Sequence, residues 1–278
     1  MDMLETTAAP AEKALNQKKP YRYGSRYTSK ERRTHLFIKI ISLLLTGAVS
    51  AGSLGLVSAS ALPPQTAAAR DFSNHAADTV QLALPFCSEK NLLPCGSEVV
   101  SALMVLHYWG IPTSLDELVA ALQKQPLKKE NGIQTGPNPE NFFAGDPRQK
   151  GSMGCFVPPL QRMISKFLPP ILCAENKSGI PLEQLEKDRL AVGEPVLIWA
   201  TANMEEPNYS IYWKQPDGSI CKWIQNTACM ILTGYDGSSY WVDDPSSEKG
   251  PIRWDKALVQ KRYMQIGKHC LIIRRAKQ

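Results

Sequence analysis

The stretch LPCGSEVVSALMVLHYWG, Leu93 to Gly110, constrains the fold more than any other. From Ser97 to Trp109 it is apolar on nearly every face of a helix, and a helix without a polar face has to be covered on all sides. It is predicted to be the central helix of a domain, beginning at the Gly96–Ser97 step and ended by Gly110. A thiol, Cys95, and a hydroxyl, Ser97, stand two residues apart where it begins. Unpaired N–H groups and the helix dipole favour negative charge there, so the question is whether either group is a nucleophile.

The rest of the chain supplies what must cover that helix. TSLDELVAALQKQP opens with Ser114 and Glu117 at capping-box spacing and continues at helical period, which predicts an amphipathic helix stopping before Pro126. Lys128 to Gly154 is rich in Gly, Pro and Asn and reads as a long loop, of a kind that is usually functional or mobile. PPLQRMISKFLPP and PLEQLEKDRLAVG read as two further helices, the second closed by Gly193. EPVLIWATA is a continuous apolar run suited to a strand buried on both faces. TACMILTGYDGSSYWVDDP reads as strand, turn at Asp236-Gly237, strand and Asp-Pro stop, and KHCLIIRR as a last strand. Helices first and strands later predict an α+β domain with a helical half and a sheet half.

Charge placement separates this domain from what precedes it. The formal net charge is +6, yet residues 1 to 35 carry eight Lys/Arg against four Asp/Glu, and from Asp71 onward the two signs balance. A neutral domain lacks the basic stripe that nucleic acid requires, so no nucleic-acid partner is expected. The positive tail leads into an apolar stretch between Thr34 and Pro64, with Arg32, Arg33 and Lys39 at its upstream end. Its length is near the roughly 20 residues of a bilayer-spanning helix, and upstream positive charge holds that end in the cytoplasm. The expected organisation is a basic cytoplasmic tail over 1–35, a signal peptide or signal-anchor transmembrane helix over 36–61, a linker over 62–80 and a domain over 81–275. Ala59-Ser60-Ala61 fits a cleavage site before Leu62. Cleaved or retained, the segment places the domain outside the cytoplasm, secreted or membrane-anchored. All seven Cys lie beyond it; export would allow some to pair, and an odd number leaves at least one unpaired within the chain. No Cys/His spacing suits zinc, so neither metal nor cofactor is expected.

The order LALPF, LPCGSEVVSALMVLHYWGI, NPENFFAGDP, GCFVPPL, GEPVLIWAT, ILTGYD and DDP resembles the papain-fold domains related to the bacteriocin-leader-processing peptidases, cysteine-peptidase family thirty-nine, and in particular its stand-alone family-thirty-nine-like domains. The likeness runs from about Leu82 to Ile273. It implies a papain-like cysteine peptidase fold with the central helix in its helical half and an antiparallel sheet half. In such peptidases a Cys at the start of the central helix is the nucleophile, and a His on a later strand takes its proton. An Asp or Asn orients the imidazole, and a Gln before the helix donates to the oxyanion.

Set in the family's register, these places hold other groups. The usual Leu-Pro-Thr-Gly-Cys-Glu becomes Leu93-Pro94-Cys95-Gly96-Ser97-Glu98, so Ser97 occupies the nucleophile position. The His that opens the strand before Gly-Tyr-Asp becomes Ala228, and the Gln becomes Glu89. Only the orienting acid, Asp244, is retained, although Asp-Pro is also an ordinary turn start. A hydroxyl is far less acidic than a thiol and Ala228 is no base. An ionised Glu89 would oppose an oxyanion, where losing one donor alone costs about 3 kcal/mol. Cys95 is the displaced-nucleophile candidate, although helix-start geometry would turn it away by more than half a helical turn. Cys229 is expected to face the opposite side of the sheet from Ala228, His107 to be a packed or rim residue, and His269 to stand at the last strand. Trp109, Phe142, Phe143, Trp213, Trp223 and Trp241 are groove candidates, with core positions expected for most. The resemblance thus implies a catalytically impaired pseudopeptidase that binds a peptide or protein; the alternative is an active cysteine peptidase using Cys95.

Overall fold

The computed structural model describes residues 79–277; the expected tail, hydrophobic segment and nearly all of the linker lie outside the described residues. Among the described residues no helix is long and apolar enough to cross a membrane.

The apolar stretch forms helix α1, Ser97–Tyr108, and every residue from Ser97 to Leu106 is buried. Helix α2, Leu115–Ala121, begins with the expected capping box: Ser114 Oγ accepts from the Glu117 amide, and the Ser114 amide donates to the Glu117 carboxylate. It ends several residues before Pro126. The chain instead turns extended at Leu122, and Lys124–Gln125 forms strand β2, paired in parallel with Phe143–Ala144, strand β5. The Phe143 amide donates to Gln123 O at 2.9 Å and that of Gly145 to Gln125 O at 2.7 Å, a ladder that competes successfully with another helical turn. The stretch from Lys128 to Gly154 is therefore not one loop. Besides β5 it holds Lys128–Glu130 as β3 and Ile133–Thr135 as β4. Helix α3, Val157–Ser165, and helix α4, Leu182–Asp188, match the two further helices expected, and Gly193 follows a 3-10 turn in the left-handed conformation.

The strands of the main sheet are Leu172–Asn176 (β6), Val196–Thr201 (β7), Thr227–Tyr235 (β10), Ser239–Asp243 (β11), Ile252–Asp255 (β12) and Cys270–Arg275 (β13). They run in the order β12-β11-β10-β7-β13-β6, antiparallel throughout. The short Val80–Gln81 strand, β1, pairs with β10 at Gly234 and Tyr235, taking over the edge that β7 leaves at Leu232. A Cβ on Gly234 would lie 2.2 Å from Val80 O, so only glycine permits that approach.

Every residue of β7 is buried because both faces of the sheet are covered. Leu197 and Trp199 join α1, α2 and α3 in one core. Val196, Ile198 and Ala200 join α4 and the Val259 and Tyr263 side chains in a second. Those last two belong to helix α5, Lys256–Gln265, between β12 and β13, a helix that the helices-then-strands reading did not contain. Two more strands, Ile211–Lys214 (β8) and Ile220–Trp223 (β9), complete a separate four-stranded sheet, β3-β4-β8-β9, around buried Trp213, Cys221 and Trp223. All seven cysteines are free. The result is an α+β, papain-like arrangement in which the central helix points its amino end at the start of β10.

Candidate active site

The fold brings the amino end of α1 against the start of β10, and the backbone itself makes the junction. The Cys229 amide donates to Ser97 Oγ at 3.1 Å, and one turn along the helix Ser101 Oγ donates to Cys229 O at 2.9 Å. Alternation along β10 sends the Cys229 side chain into the α1 core and Ala228 into the opposite one. Ala228 also borders a cavity of about 200 Å³ that Glu89, Cys95, Ser97, Glu98, Ser152, Gln225, Asn226 and Thr227 line as well. Ser97, Ala228 and Glu89, three positions named from register alone, thus meet in one cleft.

Asp244 stands behind that wall. Its carboxylate accepts from the Ser246 amide at 2.9 Å and from Ser246 Oγ at 2.7 Å, the geometry of a turn, while Ser246 is the residue that borders the cavity. The segment before α1 is tied to the same turn, since the Glu89 amide donates to Pro245 O at 2.8 Å. Neither histidine among the described residues lines the cleft. His107 Nε2 lies 2.8 Å from Thr113 O just beyond the end of α1. His269 stacks on Phe156 at 4.0 Å between ring centroids, and burial pushes its pKa down to about 4, so it is neutral at pH 7.

Three groups remain that could act on a substrate, and each is compromised. Cys95 belongs to the turn before the helix and not to the helix itself, so it does line the cleft, contrary to the half-turn argument. Burial raises its thiol pKa, an effect that the Gly151 and Ser152 amides only partly offset, whereas a nucleophilic thiol needs the opposite. Ser97 Oγ, with the Cys229 amide on one side, donates to Glu98 Oε2 at 3.3 Å on the other. Glu98 is itself structural: its Oε1 accepts from the Cys155 amide at 2.9 Å, and the carboxyl fills space that a Cβ on Gly154 would occupy.

Electrostatically the cleft is acidic. Desolvation holds Glu98 near pKa 7, and nearby Glu89 adds to the rise. Glu89 is also raised to about 7, mainly by burial and then by Asp244, with the Gly96 amide pulling back. Its Oε2 is buried without a partner. Glu98 as a buried acid was missed in the sequence because it sits inside an apolar helix; the Ser-Glu step was the available signal. The aromatic candidates are elsewhere: Phe143, Trp213 and Trp223 are in the core, and Trp109, Phe142 and Trp241 do not border the Ser97 cavity. Among the described residues no group of three His, Cys, Asp or Glu could hold a metal ion.

Comparison with known proteins agrees with this frame. The chain is 26% identical over 182 residues to YvpB, an uncharacterized protein of Bacillus subtilis, covering 65% of this chain and 69% of that protein. A crystal structure assigned as a C39-like peptidase from Bacillus anthracis superposes with a TM-score of 0.63 at 25% identity, over 72% of this chain and 98% of the other. A double-glycine-motif protease of an AMS/PCAT transporter, solved with its leader peptide, aligns at 14% identity and a TM-score of 0.42, over 71% of this chain and 95% of that one. The model of the Peptidase C39-like family matches residues 81–271, nearly the whole described sheet and all its helices, and the chain belongs to that family.

Proposed function

We propose that this peptidase-like domain acts outside the cytoplasm as a peptide-binding pseudopeptidase, holding an extended peptide or protein segment in its cleft without cleaving it. One observation carries the reading: among the described residues no imidazole lines the cavity at the amino end of α1, and an alanine stands where the family's register calls for one. The acceptor of the Ser97 hydroxyl is the Glu98 carboxyl at a long 3.3 Å, and that carboxyl is buried and tied to the Cys155 amide, a structural role in place of the mobile imidazole that activates a nucleophile. Glu89 stands where the family's amide donor would, and the fraction of it that is ionised near its raised pKa of about 7 opposes charge developing in a transition state. What is left is a recess of about 200 Å³ bordered by Ser97, Gln225, Asn226 and Thr227, where a peptide segment is proposed to sit. The apolar segment between Thr34 and Pro64, with its upstream positive charge, supports placing the domain outside the cytoplasm.

The test combines loss and gain. The natural chain is expected not to hydrolyse a peptide library and not to react faster than unfolded cysteine with a small disulfide probe. Ser97→Cys, Ala228→His and Glu89→Gln together restore thiol, imidazole and amide, and probe reactivity at neutral pH is expected to rise at residue 97. Hydrolysis by the natural chain that disappears in Cys95→Ala would reverse the assignment, and an inert triple variant would show that the three positions are misplaced.

A further inference from the structure

The small four-stranded sheet keeps one face inside the protein and turns the other out. Along β8 and β9 the two kinds of side chain alternate: Trp213, Cys221 and Trp223 are buried, while Tyr212, Lys214, Ile220 and Lys222 are exposed. Tyr212 pairs with Lys222, and Lys214 with both Ile220 and Thr135, so Ile133, two residues before Thr135, shares the outer face. Lys128 joins it through its own pairing with Thr135. Tyr209 stands at the margin, its carbonyl accepting from the Tyr212 hydroxyl at 2.9 Å.

That outer face is apolar and cationic together. Among the described residues eight large apolar side chains are exposed, and four of them, Ile133, Tyr209, Tyr212 and Ile220, are here, each 48–57% open to solvent. Scattered singly such residues need no explanation, but gathered on one face they mark an interaction surface. The four strands hold Lys128, Lys129, Lys214 and Lys222 against Glu130 alone, and among the described side chains Lys128, Lys214 and Lys222 form no ion pair.

We propose that this face rests on an anionic lipid bilayer, with Ile133, Tyr212 and Ile220 at the interfacial depth and Lys128, Lys214 and Lys222 over the lipid phosphates. Tyrosine, with an apolar ring and a polar tip, suits that depth, and lysines set among apolar side chains draw the face to negative headgroups. A second copy of the chain fits less well, because a two-fold contact would set one lysine-bearing face against another. A bilayer is also the surface to which the apolar segment between Thr34 and Pro64 points, and a domain tethered at a membrane needs only a weak contact of its own. Such a contact rests on the proposed function only for the domain's place beside a membrane, not for peptide binding.

Photocrosslinking of the full chain tests this in vesicles of phosphatidylcholine mixed with phosphatidylglycerol and in vesicles of phosphatidylcholine alone, each with a trace of phosphatidylcholine carrying a diazirine near its headgroup. In the mixed vesicles peptide mapping is expected to find lipid adducts at Ile133 and over 209–220, besides those between 34 and 64. The adducts on the sheet should fall at least about tenfold in phosphatidylcholine alone, and as far when Lys128, Lys214 and Lys222 are each changed to Glu, while those between 34 and 64 persist. Ile133→Ser, Tyr212→Ser and Ile220→Ser together change only exposed side chains, so the variant is expected to keep its circular dichroism and lose the sheet adducts even in mixed vesicles. Adducts confined to 34–64, or sheet adducts equal in the two lipids, would overturn the anionic docking face while leaving the membrane placement and peptide binding intact. No adducts at all would overturn the membrane placement with it. Protein–protein adducts joining two copies through 209–220 would assign the face to a second copy and refute the proposal.

Discussion

Replacing Glu98 by Gln should stabilise this protein above neutral pH and do almost nothing in acid. Glu98 is 4% exposed, and desolvation raises its carboxyl from 4.5 to about 7. The folded chain therefore keeps the proton over an interval in which the unfolded chain has already released it. Stability is unaffected below pH 4.5, where both states are protonated, and falls as pH rises from 4.5 to about 7 because the folded state binds more protons. Each pH unit is worth about 1.4 kcal/mol, so the loss accumulated by pH 7 is about 3 kcal/mol. The glutamine of Glu98→Gln keeps an oxygen for the Cys155 amide and has nothing to ionise. At pH 8 the variant should therefore be the more stable by about 3 kcal/mol, roughly 6–12 °C in Tm for a domain of this size. Urea unfolding of both proteins at intervals between about pH 4 and 9 measures the difference. Because Glu89 is raised in the same cleft, the two carboxyls titrate in linked steps, which broadens the natural protein's pH profile without changing its sign. A variant no more stable at pH 8, or a gap that persists unchanged below pH 5, would refute the argument that burial sets the state of this carboxyl.

Two backbone positions give further checks. Gly154→Ala places a Cβ 2.3 Å from Glu98 Oε1 at φ +132°; it should cost about 3 kcal/mol in urea unfolding from strain and the displaced carboxyl, whereas Gly237→Ala, which meets no neighbour, should stay within about 0.5 kcal/mol. Gly234→Ala drives a Cβ into Val80 O, so β1 should peel away, and the Leu82 amide, now bonded to Thr233 O at 2.6 Å, should exchange its hydrogen much faster while the Met230 amide, deep in the sheet, does not; equal exchange at both positions would argue against that local strain.

The sequence, through the resemblance, offered positions for the site but hardly anything of their environment. Ser97, Ala228 and Glu89 could be named because the motifs of the family resemblance fix their register, and the three do border one cavity. Whether Cys95 faced the cleft was not legible, since that depends on where the turn ends and the helix begins. The burial of Glu98 was equally hidden, because it takes Gly154 and Cys155, more than fifty residues away, to enclose it. Helix α5 escaped for a related reason. Its inward face includes Arg262, whose guanidinium donates to Met204 O and pairs with Glu206, so the apolar period that would mark a helix is interrupted by a buried charge.

Apolar runs such as Ser97 to Trp109 and Val196 to Thr201 determine by themselves that this chain has a covered central helix and a covered central strand, because water excludes those side chains whatever their neighbours are. The early end of α2, the second small sheet and the cavity at the amino end of α1 were decided only by tertiary structure. Each depends on backbone hydrogen bonds or side chains from distant segments competing at one place, and a local pattern carries no information about which distant segment arrives.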